Sequence, residues 1–126
     1  MTENELSSLI IGAAIEVHKQ LGGPGLLEDV YEEALCFELT AHGLKVARQV
    51  LVPVLYKGQR LKKPLILDIL VEDKVIVEVK AVEKIISIFN AQLLTYLRLA
   101  DKKPGLLINF GEVKVSEGIH RVVNYL

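Results

Sequence analysis

Apolar residues recur at helical spacing in the first stretch of the chain. Leu6, Leu9, Ile10, Ala13, Ala14, Val17 and Leu21 form one face and predict a helix over residues 4–20. Gly22-Gly23-Pro24-Gly25 stops it. A second helix is expected over residues 26–42, with Leu27, Val30, Ala34, Leu35, Phe37 and Leu39 on its apolar face. Glu28, Asp29, Glu32 and Glu33 suit the positive end of its dipole, and Gly43 is a natural stop.

The period then falls to two. Val46, Val50, Val52, Val54 and Tyr56 alternate over residues 44–56, where Pro53 marks an edge or bulge. Lys57-Gly58 predicts a hairpin turn. Two β-branched-rich runs follow, residues 65–71 and 75–80, separated by the polar break Glu72-Asp73-Lys74. Helical spacing returns over residues 84–100 and ends at Lys102-Lys103-Pro104-Gly105. Residues 106–110 read as a short strand, and residues 119–125 as a strand or short closing element. The order is therefore α-α-β-β-β-α-β-β. Runs 65–71 and 75–80 are apolar on both faces, so the sheet needs cover on both sides. We expect an α/β fold: a mixed β-sheet flanked by helices in one domain spanning residues 1–126.

Charges interrupt those two central runs. Asp68 sits inside the first; Glu78 and Lys80 sit in the second, on one face of a strand. If the loop is Glu72-Asp73-Lys74, Val71 pairs with Val75 and Asp68 falls opposite Glu78. Opposed side chains share a face with Cβ atoms roughly 5 Å apart. Two carboxylates at that distance repel by about 3 kcal/mol at an effective dielectric near 20. Lys80 could offset part of this, and a divalent cation held by hard oxygen ligands would reverse its sign. A slip of one residue would place Asp68 on the other face.

Other groups could join them. Glu28 and Tyr31 share a helix face, as do Gln92 and Tyr96. Tyr31 is expected to pack in the core, and His18 to act structurally near a helix C-terminus. Cys36, the one cysteine, excludes an internal disulfide and reads as a packed, unreactive thiol.

Composition adds bounds. The chain has 126 residues, 51% hydrophobic and 25% charged, as in a globular protein. No apolar run approaches the roughly 18 residues of a membrane helix. Glu3 and Glu5 stand where a signal peptide would carry positive charge, so a cytoplasmic location is expected. The net charge of −1 argues against strong nonspecific nucleic-acid binding, but the layout is polarised. Residues 1–38 carry eight acids and one base; residues 39–67 carry no acid and six bases, Lys45, Arg48, Lys57, Arg60, Lys62 and Lys63. That layout can make a basic face, or simply solvated hairpin edges.

Several short motifs occur together in order. They are Val17-His18-Lys19, Gly25-Leu26-Leu27-Glu28-Asp29-Val30-Tyr31, Tyr31-Glu32-Glu33-Ala34-Leu35, Ala91-Gln92-Leu93-Leu94-Thr95-Tyr96-Leu97 and Leu107-Ile108-Asn109-Phe110-Gly111. From about Ile11 onward the chain resembles the GxxExxY proteins of the PD-(D/E)XK nuclease superfamily. Leu67 stands where the literal motif has proline, and the Gly22–Gly25 turn looks one glycine longer than usual.

The resemblance implies a restriction-endonuclease-like α/β sandwich that hydrolyses phosphodiester bonds, DNA rather than RNA. It implies Asp68 and Glu78 as metal ligands with the Val79 backbone carbonyl, for Mg²⁺ or Mn²⁺. Glu28 would approach the metal directly or through water. Lys80 and Gln92 would be catalytic, while Tyr96, Lys57, Arg60, Lys62 and Lys63 would contact nucleic acid. A homodimer is compatible with so small a nuclease. The alternative is a nuclease-fold module that binds nucleic acid or protein without cutting.

Overall fold

The computed structural model describes residues 1–125. Helix α1 (Glu3–Gln20) begins at a reciprocal cap in which Thr2 and Glu5 exchange hydrogen bonds between side chain and backbone. Helix α2 (Glu28–Ala41) starts two residues later than the spacing predicts. The cause is Tyr31, whose hydroxyl accepts from the Leu26 N–H at 3.2 Å and donates to the Gly23 carbonyl at 2.7 Å. Those bonds tie the glycine-rich segment into a turn.

Strand β1 (Val46–Val52) stops at Pro53. The alternating pattern resumes in β2 (Leu55–Tyr56), which pairs with β3 (Gln59–Arg60). Their turn is Lys57-Gly58, both left-handed at φ 49° and 79°. Strands β4 (Leu65–Val71) and β5 (Val75–Lys80) follow. Helix α3 (Ser87–Ala100) begins three residues after the predicted start, because Ile86 is extended and Ile85 packs into the core. The chain closes with β6 (Pro104–Asn109), a 3-10 turn (Val115–Gly118) and β7 (Ile119–Val123).

The main sheet runs β1-β4-β5-β6-β7. Only β5 and β6 are parallel, joined across one face by α3; the other neighbours are antiparallel. The expected mixed, doubly covered sheet is what forms, a restriction-endonuclease-like sandwich with the expected element order. One core lies between the sheet and α1 and α2, built on Leu6, Ile10, Leu35, Val77, Ile108 and Phe110. The other lies under α3, built on Leu67, Ile76, Leu93, Leu97 and Leu107.

Strand facing is not uniform. On β4, Leu65 and Leu67 pack toward α3, whereas Ile69 and Val71 pack toward α1 and α2. On β1, Val46 faces α1 and α2, whereas Val50 and Val52 face α3. Residues two apart in a regular strand share a face, so both strands reverse, β4 at Asp68 and β1 at Gln49. The even spacing of Val46, Val50 and Val52 gives no sign of this.

Candidate active site

The three-residue loop forms as the spacing predicts. Glu72 and Asp73 are left-handed (φ 53° and 54°), and Val71 pairs with Val75. The β4–β5 pairing then runs through Leu70–Ile76 to Ile69–Val77 and stops. The next residues are Asp68 and Glu78, and here side chains replace backbone partners. The Glu78 Oε2 accepts the Asp68 N–H at 2.9 Å, and the Asp68 Oδ2 accepts the Val79 N–H at 2.9 Å. Each carboxylate thus satisfies a backbone donor of the opposite strand. Asp68 Oδ1 and Glu78 Oε1 take no part in these bonds.

Burial dominates the electrostatics. Glu78 is 5% exposed, and burial raises its pKa to about 8, with the Asp68 charge next in importance. Burial likewise raises Asp68, to about 6, against the opposing bond from Val79. The Lys80 charge favours ionisation of both carboxyls, yet Lys80 makes no ion pair with either among the described residues. Its Nζ sits 4.9 Å from the Phe89 ring centroid on α3, a cation–π contact that the spacing of the sequence did not reveal.

The profile of the PD-(D/E)XK nuclease superfamily matches residues 4–122, nearly the whole chain. This chain belongs to the PD-(D/E)XK nuclease superfamily. No match was found among curated proteins or among solved structures. Membership suggests a nuclease-like function, and PD-(D/E)XK nucleases generally use divalent metals.

The donor chemistry fits such a metal. Two carboxylates with an oxygen each outside the backbone bonds, held where added negative charge is costly, match the way Mg²⁺ binds through one or two carboxylates and several waters. Among the described residues no group of three or more His, Cys, Asp or Glu side chains is arranged as a cage. The site's acidic side chains are thus the pair Asp68 and Glu78.

The other expected residues distribute unevenly around this carboxylate pair. Tyr96 is half-buried on α3, and the charges of Glu78 and Asp68, after burial, raise its pKa, which places its hydroxyl in their field. Gln92 lies one turn earlier, half-buried, with no side-chain hydrogen bond among the described residues. Glu28 is exposed in the first turn of α2, and its charge reaches Asp68 as the weakest of five influences. Lys57, Arg60, Lys62 and Lys63 are exposed on and just after the β2–β3 hairpin. Lys63 lies five residues before Asp68, roughly 16 Å along an extended chain.

Sequence position gives Glu32 only the role of a dipole-favouring acid, but it does more. It is 5% exposed, and its charge raises the pKa of both Asp68 and Glu78. Its carboxylate accepts the Arg48 Nε–H and both oxygens accept from the Gln49 amide, at 3.1 and 3.0 Å. The available signal was spacing: Glu32 is four residues after Glu28, on the same helix face.

Three further residues are structural. Tyr31 is fully buried and stacks on Phe110 at 4.7 Å between centroids. His18 Nε2 bonds the Glu112 carbonyl at 3.0 Å, which makes that nitrogen the donor. Burial raises the Cys36 thiol to about 11, so it is unreactive. Asn109, whose role the sequence did not disclose, is fully buried and brackets the segment after β5. Its Oδ1 accepts from the Val82 and Gly111 N–H groups, and its Nδ2 donates to the Val82 carbonyl and Glu112.

Proposed function

We propose that this protein hydrolyses phosphodiester bonds of nucleic acid, DNA in preference to RNA, at the site formed by Asp68, Glu78 and Lys80. The observation that carries this reading is the carboxylate pair of buried Glu78 and half-buried Asp68, each side chain bonded to the other's strand and both held at raised pKa by burial. Such a pair is stable and fully charged only beside a cation.

Asp68, Glu78 and the Val79 carbonyl would hold Mg²⁺ or Mn²⁺. When bound, the cation would polarise a phosphate oxygen and acidify a water, worth several kcal/mol of barrier lowering. Lys80 stabilises the negative charge that develops on the phosphate, since its ammonium is seated on Phe89 and, among the described residues, is not consumed in an ion pair. Tyr96 donates a hydrogen bond to a phosphate oxygen, and the Gln92 amide one turn away orients the attacking water. The hairpin cations Lys57, Arg60, Lys62 and Lys63 hold the backbone of the nucleic acid.

The test is incubation with single- and double-stranded DNA and RNA in Mg²⁺, Mn²⁺ or chelator, beside a Glu78→Ala/Lys80→Ala variant. Metal-dependent cutting of DNA that vanishes in the variant is expected. Cutting that survives in the variant rules this site out. Metal-independent binding without cutting supports the noncatalytic module instead.

A further inference from the structure

Gln49 is the one described residue other than glycine that takes a left-handed conformation inside a strand; the others stand in turns or at a helix cap. Its φ is 54°. Left-handed backbone in an L-residue with a long side chain is disfavoured and persists where neighbouring structure demands it. The position is not random. The β1–β4 pairing is recorded at Arg48–Ile69 and again at Val50–Leu67, and skips the intervening Gln49 and Asp68. These are the two residues at which the two strands reverse their facing.

We infer that Gln49 is a positioning residue for Asp68: its left-handed backbone reverses β1, forces the matching reversal in β4, and so aims the Asp68 carboxylate at the Val79 N–H beside Glu78. The reasoning is one of register. Apart from this point the two strands stay in step, with no residue inserted on either side. If β1 alone reversed, Val50 and Leu67 would no longer face α3 together, so both strands must turn at the same rung. A continuous β4 would offer the Asp68 N–H to a neighbouring strand. In the reversed strand that N–H goes to Glu78, and the Asp68 side chain replaces the lost ladder bond on Val79. The buried Glu32 carboxylate, itself seated by Arg48, takes the Gln49 amide on both oxygens and holds the turned residue in place.

The role of Asp68 as a cation ligand rests on the proposed function, but its placement can be read without any metal. The readout is hydrogen exchange of the Val79 amide, whose acceptor is Asp68. Two variants, Gln49→Gly and Gln49→Ala, both lack the side-chain amide and differ in tolerance of the left-handed backbone. Asp68→Ala sets the rate of an unpartnered Val79 amide. The Leu106 and Ile108 amides in central β6 report global opening and normalise each variant. Val79 exchange in the glycine variant is expected within about threefold of native; in the alanine variant it should be roughly five- to thirtyfold faster than in the glycine variant, the factor carried by a left-handed alanine. Equal Val79 exchange in the two variants, or alanine exchange no faster than native, overturns the inference. A parallel Mn²⁺ titration by calorimetry should rank affinity in the same order. If native protein binds no Mn²⁺, the proposed function falls, while the exchange order still decides the role of Gln49.

Discussion

Replacing Glu78 with glutamine keeps the side chain's shape and an oxygen that can accept the Asp68 N–H, but removes the buried charge. In the native protein that carboxyl is raised from 4.5 to about 8, first by burial and then by Asp68. Above about pH 4.5 the unfolded chain releases this proton while the folded chain keeps it, so the folded state binds more protons and stability falls as pH rises. The loss is absent below pH 4.5 and complete once pH passes the folded value near 8. At about 1.4 kcal/mol for each tenfold displacement of the equilibrium, it reaches on the order of 4 kcal/mol. Glu78→Gln should therefore match native stability near pH 5 and exceed it by about 3–4 kcal/mol at pH 8 without metal, or roughly 12 °C in Tm. Urea and thermal unfolding in chelator at pH 5, 6, 7 and 8 measure this. A difference that stays constant with pH, or a variant less stable than native at pH 8, refutes the reasoning. Magnesium should narrow the gap at pH 8: native protein gains about 2.7 kcal/mol at one hundred times Kd, and the variant gains little.

Tyr31→Phe strips the hydroxyl that bridges Gly23 and Leu26 but leaves the stack on Phe110, so chemical denaturation should show a loss of about 1–3 kcal/mol with the fold retained. Asn109→Ala leaves the Val82 and Gly111 N–H groups and the Val82 carbonyl without their partners, a loss of about 3 kcal/mol or more; a loss under 1 kcal/mol would contradict the bracket described for it. Combining Lys57→Ala, Arg60→Ala, Lys62→Ala and Lys63→Ala should weaken nucleic-acid binding. The slope of log affinity against log salt on duplex DNA should become shallower by up to about 3.6, since each neutralised phosphate contributes about 0.9. Those residues are exposed, so Tm should hardly move; an unchanged salt slope would remove the hairpin from the interface.

Much of the fold was legible because its signals are local. Apolar period, the glycine turn, Lys57-Gly58 and the Glu72-Asp73-Lys74 break located nearly every element, and the length of that break set the β4–β5 register. The helix starts at Glu28 and Ser87 were displaced because a tyrosine hydroxyl and the packing of a half-buried isoleucine, Ile85, compete with helix propensity. Of the site, the opposition of Asp68 and Glu78 was readable, since it follows from counting residues around one hairpin.

The sequence by itself determined which residues would be charged within apolar strands, and that two carboxylates would meet there. Alternation along a strand is fixed by backbone geometry, so it can be read without any partner. Tertiary structure decided the rest. Whether Lys80 pairs with a carboxylate or lies on Phe89, whether Glu32 faces solvent or the site, and where β1 and β4 reverse all depend on contacts between distant segments. No local period encodes such a reversal. It turns on a left-handed residue whose amide meets a buried carboxylate on α2, a partner that comes within reach only when the helix packs on the sheet.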